Sequence, residues 1–271
     1  METTDSPEST DSSPARSSPE TGDQPVDRDD VRERLERVND PELDRSIVDL
    51  QYIDAIDIDG GTVTVEFVLP TAWCSPAFAW MMATGIRDEV GALPSVASVT
   101  VRLLDHMHGE EITTGVNQER PFESVFEDAD DGIEAVRRKL DTKARFARQY
   151  SALRTLRDAG LDPHQIATLV RADVDLEFSS DLAAVSVQDD ALTVTVDSEP
   201  LAEYLTKAQE TGLITDDTDR LFADRDGEPL EPEPDAFESV LRDARLAASN
   251  IEGQGAICAS LHESRYGVSI D

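Results

Sequence analysis

The sequence predicts an α+β fold in two parts, and three observations carry that reading. First, an apolar helical period, two alternating strands, a second apolar helix and a third alternating strand follow one another between residues 27 and 118. Second, helical periods dominate from residue 133 onward, interrupted by one hairpin pattern. Third, an acidic connection over 119–132 separates the two. The expected organisation is a disordered acidic tail over 1–26, a small helix-strand-strand-helix-strand domain over 27–118, a linker over 119–132, and a mostly helical second domain with a β-hairpin over 133–271.

The tail is built of Ser, Thr, Pro, Asp and Glu with almost no large apolar side chain, so it has nothing to bury. Asp27 to Asp30 then offer N-cap carboxylates, and Val31, Leu35 and Val38 recur at helical spacing. Asn39-Asp40-Pro41-Glu42 stops that helix, because Pro41 disfavours helical geometry at Asp40. Ile47, Val48 and Leu50 return the chain to a core. Residues 51–58 and 62–69 read as strands: Val63, Val65, Phe67 and Leu69 alternate with Thr64, Glu66 and Val68, and Asp59-Gly60-Gly61 makes the hairpin turn.

Leu69-Pro70-Thr71-Ala72-Trp73-Cys74-Ser75-Pro76 converts the second strand into a helix, with Ser75 as expected N-cap and Pro76 as first helical residue. A thiol at that joint feels the positive end of the helix dipole, which favours thiolate. The plainer alternative is a small buried Cys at a strand end. The helix carries Phe78, Met81, Met82, Ile86 and Val90 and ends near Gly91. Val99, Val101 and Leu103 mark the third strand. The loop beyond it, Asp105-His106-Met107-His108-Gly109-Glu110-Glu111, sets two imidazoles beside three carboxylates, a donor set for a divalent or non-haem metal; the alternative is a solvated polar loop.

The second part opens on a long helix from Ile133, with Val136, Leu140, Ala144, Ala147 and Leu153 on one side. Arg137, Arg138, Lys139, Lys143, Arg145, Arg148, Arg154 and Arg157 place eight of the chain's 24 basic residues on it. Either acidic neighbours neutralise them or they form a docking surface for an acidic partner protein or nucleic acid. Gly160 ends this helix, and Asp162-Pro163 begin another. Residues 183–196 read as a hairpin across Gln188-Asp189-Asp190, and Pro200–Gln209 as a helix. The stretch 215–235 is acidic and Pro-rich with a turn at Asp226-Gly227. Ala236–Ser249 reads as a helix, with Gly253-Gln254-Gly255-Ala256-Ile257-Cys258 leading into a separate short last helix.

Composition narrows the function. The chain carries 58 acidic and 24 basic side chains, a formal charge of −34, yet 39% of its residues are hydrophobic. That combination suits a folded, halophilic protein working in salty cytoplasm, where screening weakens self-repulsion. Acidity therefore says little about partners, and nucleic acid is not an expected one. Two cysteines, far apart, make neither a disulfide scaffold nor a structural zinc site. No secretory signal or membrane-length apolar run is seen, so a cytoplasmic, reducing setting is expected. Hydrolase elbow, P-loop, dinucleotide fingerprint and zinc-protease motifs are all missing from the sequence.

What remains lies in the first domain: Cys74, the Asp40/Glu42 bend and the His106/His108 loop. Thiolate, imidazole and carboxylate together suit iron better than magnesium or calcium. A single cysteine cannot house a cluster, so bound iron–sulfur would be shared between the subunits of a homodimer, with another protein, or with Cys258.

Asp40-Pro41-Glu42, then Ile47-Val48-Asp49-Leu50, a Gly-turned hairpin, and a Cys after Leu69-Pro70-Thr71 resemble the PaaD/SufT-like metal–sulfur cluster assembly family over residues 28–104. The resemblance implies a small α+β fold and a part in maturing iron–sulfur proteins. The family's motif Cys maps onto Cys74 and its acidic bend onto Asp40 and Glu42. Gln51 stands where the family has Gly, and Ser75 separates Cys74 from Pro76. Cys74-Ser75-Pro76, Asp105-His106, Gly115-Val116, Cys258 and Arg265-Tyr266-Gly267 further resemble a longer, two-part subgroup encoded near binuclear-iron hydrocarbon monooxygenases. In the second half, Gly160-Leu161, Asp173-Val174-Asp175 and Leu221-Phe222-Ala223-Asp224 resemble a degenerate tyrosine-recombinase layout. Asp162 stands where its Arg belongs, and Tyr266 is badly placed as a nucleophile.

The resulting expectation is a non-catalytic maturation factor that transiently binds iron or an iron–sulfur cluster through Cys74. Asp40 and Glu42 shape the site, and His106 and Cys258 add metal ligands. Its partner would be a client iron or iron–sulfur protein, a binuclear-iron monooxygenase under the subgroup resemblance. Two alternatives stand beside it: an interaction module built on the basic 133–158 helix, and an enzyme with a Cys74 nucleophile and His106 base.

Overall fold

The computed structural model describes residues 25–127, 132–187 and 191–267. The expected tail over 1–24, the linker residues 128–131 and the Gln188-Asp189-Asp190 turn lie outside the described residues.

Helix α1 (Arg28–Leu35) is capped by Asp27, whose side chain accepts from the Asp29 amide at 2.9 Å. It buries Val31 and Leu35 and stops a turn earlier than the apolar spacing implies. Val38, the next apolar residue in that spacing, is buried but already lies outside the helix. A two-stranded ribbon follows, β1 (Asn39–Asp40) against β2 (Arg45–Ser46). The main sheet then forms from β3 (Ile53–Asp59), β4 (Thr62–Phe67) and β5 (Ser98–Leu103) in the order β3-β4-β5. β3 and β4 are an antiparallel hairpin turned at Gly60, which holds φ +58°, a backbone region that suits glycine. β4 and β5 are parallel, as they must be when helix α2 (Pro76–Gly91) connects them. α2 starts with Ser75 at its N-cap and Pro76 as first residue, as expected, although the Ser75 side chain makes no capping bond.

The polar loop after β5 is shorter than the sequence suggests, because helix α3 (Gly109–Asn117) begins inside it and buries Ile112 and Val116. Helix α4 (Phe122–Val125) then packs Phe122 edge-on against Trp80.

Helix α5 (Gly132–Asp158) leads to α6 (Pro163–Thr168), closed by a capping box between Asp162 and Gln165. The second sheet has three strands: β6 (Val174–Asp175) adds to the expected hairpin of β7 (Leu182–Val187) and β8 (Leu192–Asp197). Helix α7 (Ser198–Glu210) covers it. The final helix differs most from expectation. Instead of two helices broken near Gly253, one helix, α8 (Pro234–Tyr266), runs through without a break. Gly253 and Gly255 cost helix propensity without forbidding the conformation, and the contacts of α8 with α5 hold it.

Those two long helices join the two cores. Ile133, Val136 and Leu140 at the start of α5 pack on the first core, and Ala152, Leu153 and Leu156 at its end belong to the second. α8 runs the other way: Phe237 sits in the second core and Cys258 against the first. Lys143 bonds Gln254 at 2.9 Å and Arg157 meets Glu238 at 3.0 Å, the falling register of an antiparallel pair. Only part of the basic face of α5 is taken up inside the molecule, and Arg137, Arg138, Lys139, Arg154 and Arg157 stay exposed. Arg145 is buried, bonded to Gln149 and to the Asp224 carbonyl, and Arg148 reaches Asp44 of the first core at 2.6 Å. Arg137 and Arg154 pair with Glu134 and Asp158 on their own helix. Among the described residues no helix is long and apolar enough to cross a membrane.

Candidate functional site

Parallel pairing of β4 and β5 decides where the candidate residues meet. Phe67 and Leu103, the last residues of the two strands, are partners in register. The loops that follow therefore leave the same edge of the sheet side by side, outside the carboxyl ends of parallel strands, where α/β sheets place their sites. The Leu104 amide donates to the Phe67 carbonyl at 2.9 Å, and the Met107 amide to the Ala72 carbonyl at 3.0 Å. Cys74 lies in the first loop, half-buried, with Sγ 3.4 Å from the Thr71 hydroxyl.

His106 comes from the second loop, and both its ring nitrogens are engaged by backbone. Nε2 donates to the Cys74 carbonyl at 2.9 Å, and Nδ1 accepts from the His108 amide at 3.1 Å. These bonds select the neutral Nε2–H tautomer. Burial pushes its pKa below the usual imidazole range, opposed by the bond to Cys74. A ligand nitrogen needs a free lone pair, and neither remains. The geometry thus gives His106 the work of bracing the Cys74 loop.

Asp40 is buried, and its Oδ1 accepts from the amides of Glu42 at 2.8 Å and Leu43 at 3.1 Å. This turn is what Asp-Pro-Glu encodes: the carboxylate closes the bend that Pro41 opens. Burial raises the Asp40 pKa, against the pull of those two amides. Tyr52, fully buried, faces this carboxyl, and its hydroxyl is held far above the usual range by burial, then by Asp40, Cys258 and Cys74.

The last turns of α8 close over the same edge. The Tyr52 ring stacks on His262 at 5.6 Å, and His262 meets Tyr266 at 4.9 Å. The Tyr266 hydroxyl reaches the Leu69 carbonyl at 3.4 Å, and Arg265 donates to the Asp105 carbonyl at 2.6 Å. Cys258, one turn before His262, is brought to the group. Burial pushes its thiol up to about 11, with Asp40, Cys74 and Glu42 close enough to add to the rise. Cys258 therefore lies within electrostatic range of Asp40, Cys74 and Glu42, while His106 is tied to the Cys74 carbonyl.

Tyr52, His262 and Tyr266 are site residues that the sequence reading did not place in the site. Tyr52 carries no motif. His262 reads, with Arg265, as a His-x-x-Arg spacing of the recombinase-like layout rather than as part of this site, and its ring partner stands 210 positions earlier. Only Arg265-Tyr266-Gly267 offered a signal, through the subgroup resemblance.

Chemically the first core carries two half-buried thiols, Cys74 and Cys258, and the buried carboxyl of Asp40. Among the described residues no group of three or more His, Cys, Asp or Glu could hold a metal ion. Two thiols fit half the ligand set of an iron–sulfur cluster and leave its other iron positions open.

An α+β domain with a thiol at the carboxyl ends of its parallel strands is thus the class that fold and site define. Residues 28–101 match a family described as iron-sulfur cluster assembly protein. The match runs from the first residue of α1 into β5, so it takes in Asp40, Glu42 and Cys74 and stops before His106 and Cys258. It supports a general role in iron–sulfur cluster assembly. No curated protein matches the chain.

Proposed function

We propose that this protein is a cytoplasmic maturation factor that holds iron or an iron–sulfur cluster at Cys74 and passes it to a client metalloenzyme. The observation that supports this reading is that Cys258, from the far end of the chain, packs against the same core as Cys74, the thiol inside the stretch that matches cluster assembly proteins. Iron bound here would take a thiolate from Cys74 and a second from Cys258. Burial first, then Asp40, Cys74 and Glu42, disfavour charge on Cys258, which keeps that thiol protonated until metal arrives and weakens its hold afterward. A weakly held cluster is transferable. His106 fixes the Cys74 carbonyl and with it the loop that presents the thiol. The client we propose is an iron enzyme, with a binuclear-iron monooxygenase as the specific candidate.

The test is anaerobic reconstitution in molar KCl with ferrous iron and sulfide. Wild type should gain bound iron and visible absorption, Cys74→Ala should lose both, and Cys258→Ala should retain part. Equal iron on wild type and Cys74→Ala, or none on either, sinks the reading.

A further inference from the structure

We propose that two copies of this chain join through the exposed side of α8 next to Cys258, so that Cys74 and Cys258 of both copies complete one four-thiolate iron–sulfur site across a two-fold axis. This rests on the reading of Cys74 as a cluster-holding thiol and names what supplies the missing ligands.

Among the described residues, four exposed large apolar side chains lie near the two cysteines along the chain or in the same loop. Trp73 precedes Cys74 and is 76% exposed, and Met107, whose amide is tied to Ala72 in the same loop, is 51% exposed. Ile257 precedes Cys258 and is 61% exposed, and Leu261, three residues on, is 43% exposed. At 3.6 residues per turn, Ile257 and Leu261 lie one above the other on the side of α8 adjoining Cys258, while His262 turns into the protein. The stretch around them is almost uncharged. From Leu246 to His262 the only Asp, Glu, Lys or Arg is Glu252, in a chain that is 30% charged.

The occupant follows from ligand count and charge. The chain contains only Cys74 and Cys258, and a [2Fe–2S] cluster held by protein thiolates takes four. A chain of net charge −34 repels its own copies over most of its surface, and the repulsion is least where an uncharged face meets itself. An isologous contact is self-complementary in this sense. A two-fold axis on the Ile257/Leu261 side of α8, midway between these residues, sets Ile257 of one copy against Leu261 of the other, with Cys258 of each copy adjoining that side. Loading is then a ligand exchange without change of oxidation state. Four iron–thiolate bonds to a small-molecule donor break and four to cysteine form, each cysteine proton leaving with a departing thiolate.

The experiment uses the full chain in 3 M KCl without oxygen, with a glutathione-ligated [2Fe–2S] cluster as probe, reading mass by light scattering and iron per protomer. Wild type is expected to be a dimer with one iron per protomer, that is, one cluster per two chains. Ile257→Glu with Leu261→Glu, both at exposed positions, should give a folded monomer by circular dichroism that no longer retains the cluster. Iron retained at full stoichiometry by a monomeric wild type, or by the double variant, overturns the shared site while leaving Cys74 as a cluster-holding thiol. A wild type that takes no iron under these conditions overturns both readings.

Discussion

Asp40 sits in a costly environment. Its carboxyl is buried and its pKa lies above the ordinary 3.8, so the native state holds the proton more tightly than the unfolded chain does. The sign follows: this group's contribution to stability declines as pH rises from 3.8 through its raised native value, and at neutral pH the buried charge is carried at a cost. Asp40→Asn keeps the Oδ1 acceptor for the Glu42 and Leu43 amides and removes the charge. The variant should melt at a higher temperature than wild type at pH 7. Its Cys258 should also ionise at lower pH, since Asp40 is among the charges holding that thiol near 11. Peptide mass spectrometry after timed alkylation at pH 9 reads the second effect as faster labelling of residue 258. A lower melting temperature with unchanged labelling would show the carboxylate to be purely a turn-former. Asp40 and Cys74 were legible in the sequence because each sits in a local pattern, Asp-Pro-Glu and a strand-to-helix joint. Their aromatic surroundings were not, because Tyr52 and His262 meet only through the tertiary path of α8.

At the scale of elements, two glycines separate what a helix tolerates from what packing demands. Gly115 lies in α3 where α2 crosses it. A Cβ there would stand 2.5 Å from Trp80 Cη2 and 2.7 Å from Cζ3, with Val125 at 3.1 Å. Trp80 is itself wedged edge-on against Phe122 and Phe126, so its ring has little freedom to retreat. Gly115→Ala should destabilise by about 1–3 kcal/mol, the usual cost of overpacking. Gly253 in α8 has nothing within 4 Å of its missing Cβ. Gly253→Ala should therefore stabilise by roughly 0.5–1 kcal/mol through helix propensity alone. Urea unfolding of both variants checks the pair, and equal signs for the two would mean that the α2–α3 contact is looser than drawn. The same contrast explains what the sequence hid. The β3–β4 hairpin was readable from alternation and its Gly turn. The continuity of α8 was not, because Gly253 and Gly255 look like breakers when only propensity is weighed. α3 was masked by its polar, Gly-flanked Glu-Glu start, although Ile112 and Val116 are spaced one turn apart. Parallel pairing of β4 with β5, which sets the site, is a long-range contact that no local pattern announces.

For the whole molecule the governing quantity is charge. The chain has 58 acidic side chains against 24 basic ones, and several of the basic groups bind inward: Arg148 to Asp44, Lys207 to Asp141, and Arg145 to the Asp224 carbonyl. The carboxylates at the surface are left to repel one another. At 0.1 M salt such repulsion reaches about 10 Å, and at 1 M only about 3 Å. The melting temperature should therefore climb between 0.1 M and 3 M KCl, by roughly 2–4 °C for each kcal/mol of repulsion relieved. The Asp44–Arg148 pair should behave differently. It spans the two cores at 2.6 Å with side chains 9% and 19% exposed, so salt screens it little. Arg148→Ala strips Asp44 of its nearest cation, leaving Lys207 at 3.9 Å. We expect a loss of about 1–3 kcal/mol, as for a polar group left short of its partner. The loss should be of similar size at both salt concentrations, superimposed on the common upward trend. Calorimetric melts of wild type and Arg148→Ala across a KCl series separate the two contributions. A melting temperature that stays flat or falls with KCl would contradict the view of the acidic surface as a salt-screened one. A mutational loss that vanishes at 3 M would mean that the pair is an ordinary surface contact, and that the antiparallel α5–α8 packing alone holds the two cores together.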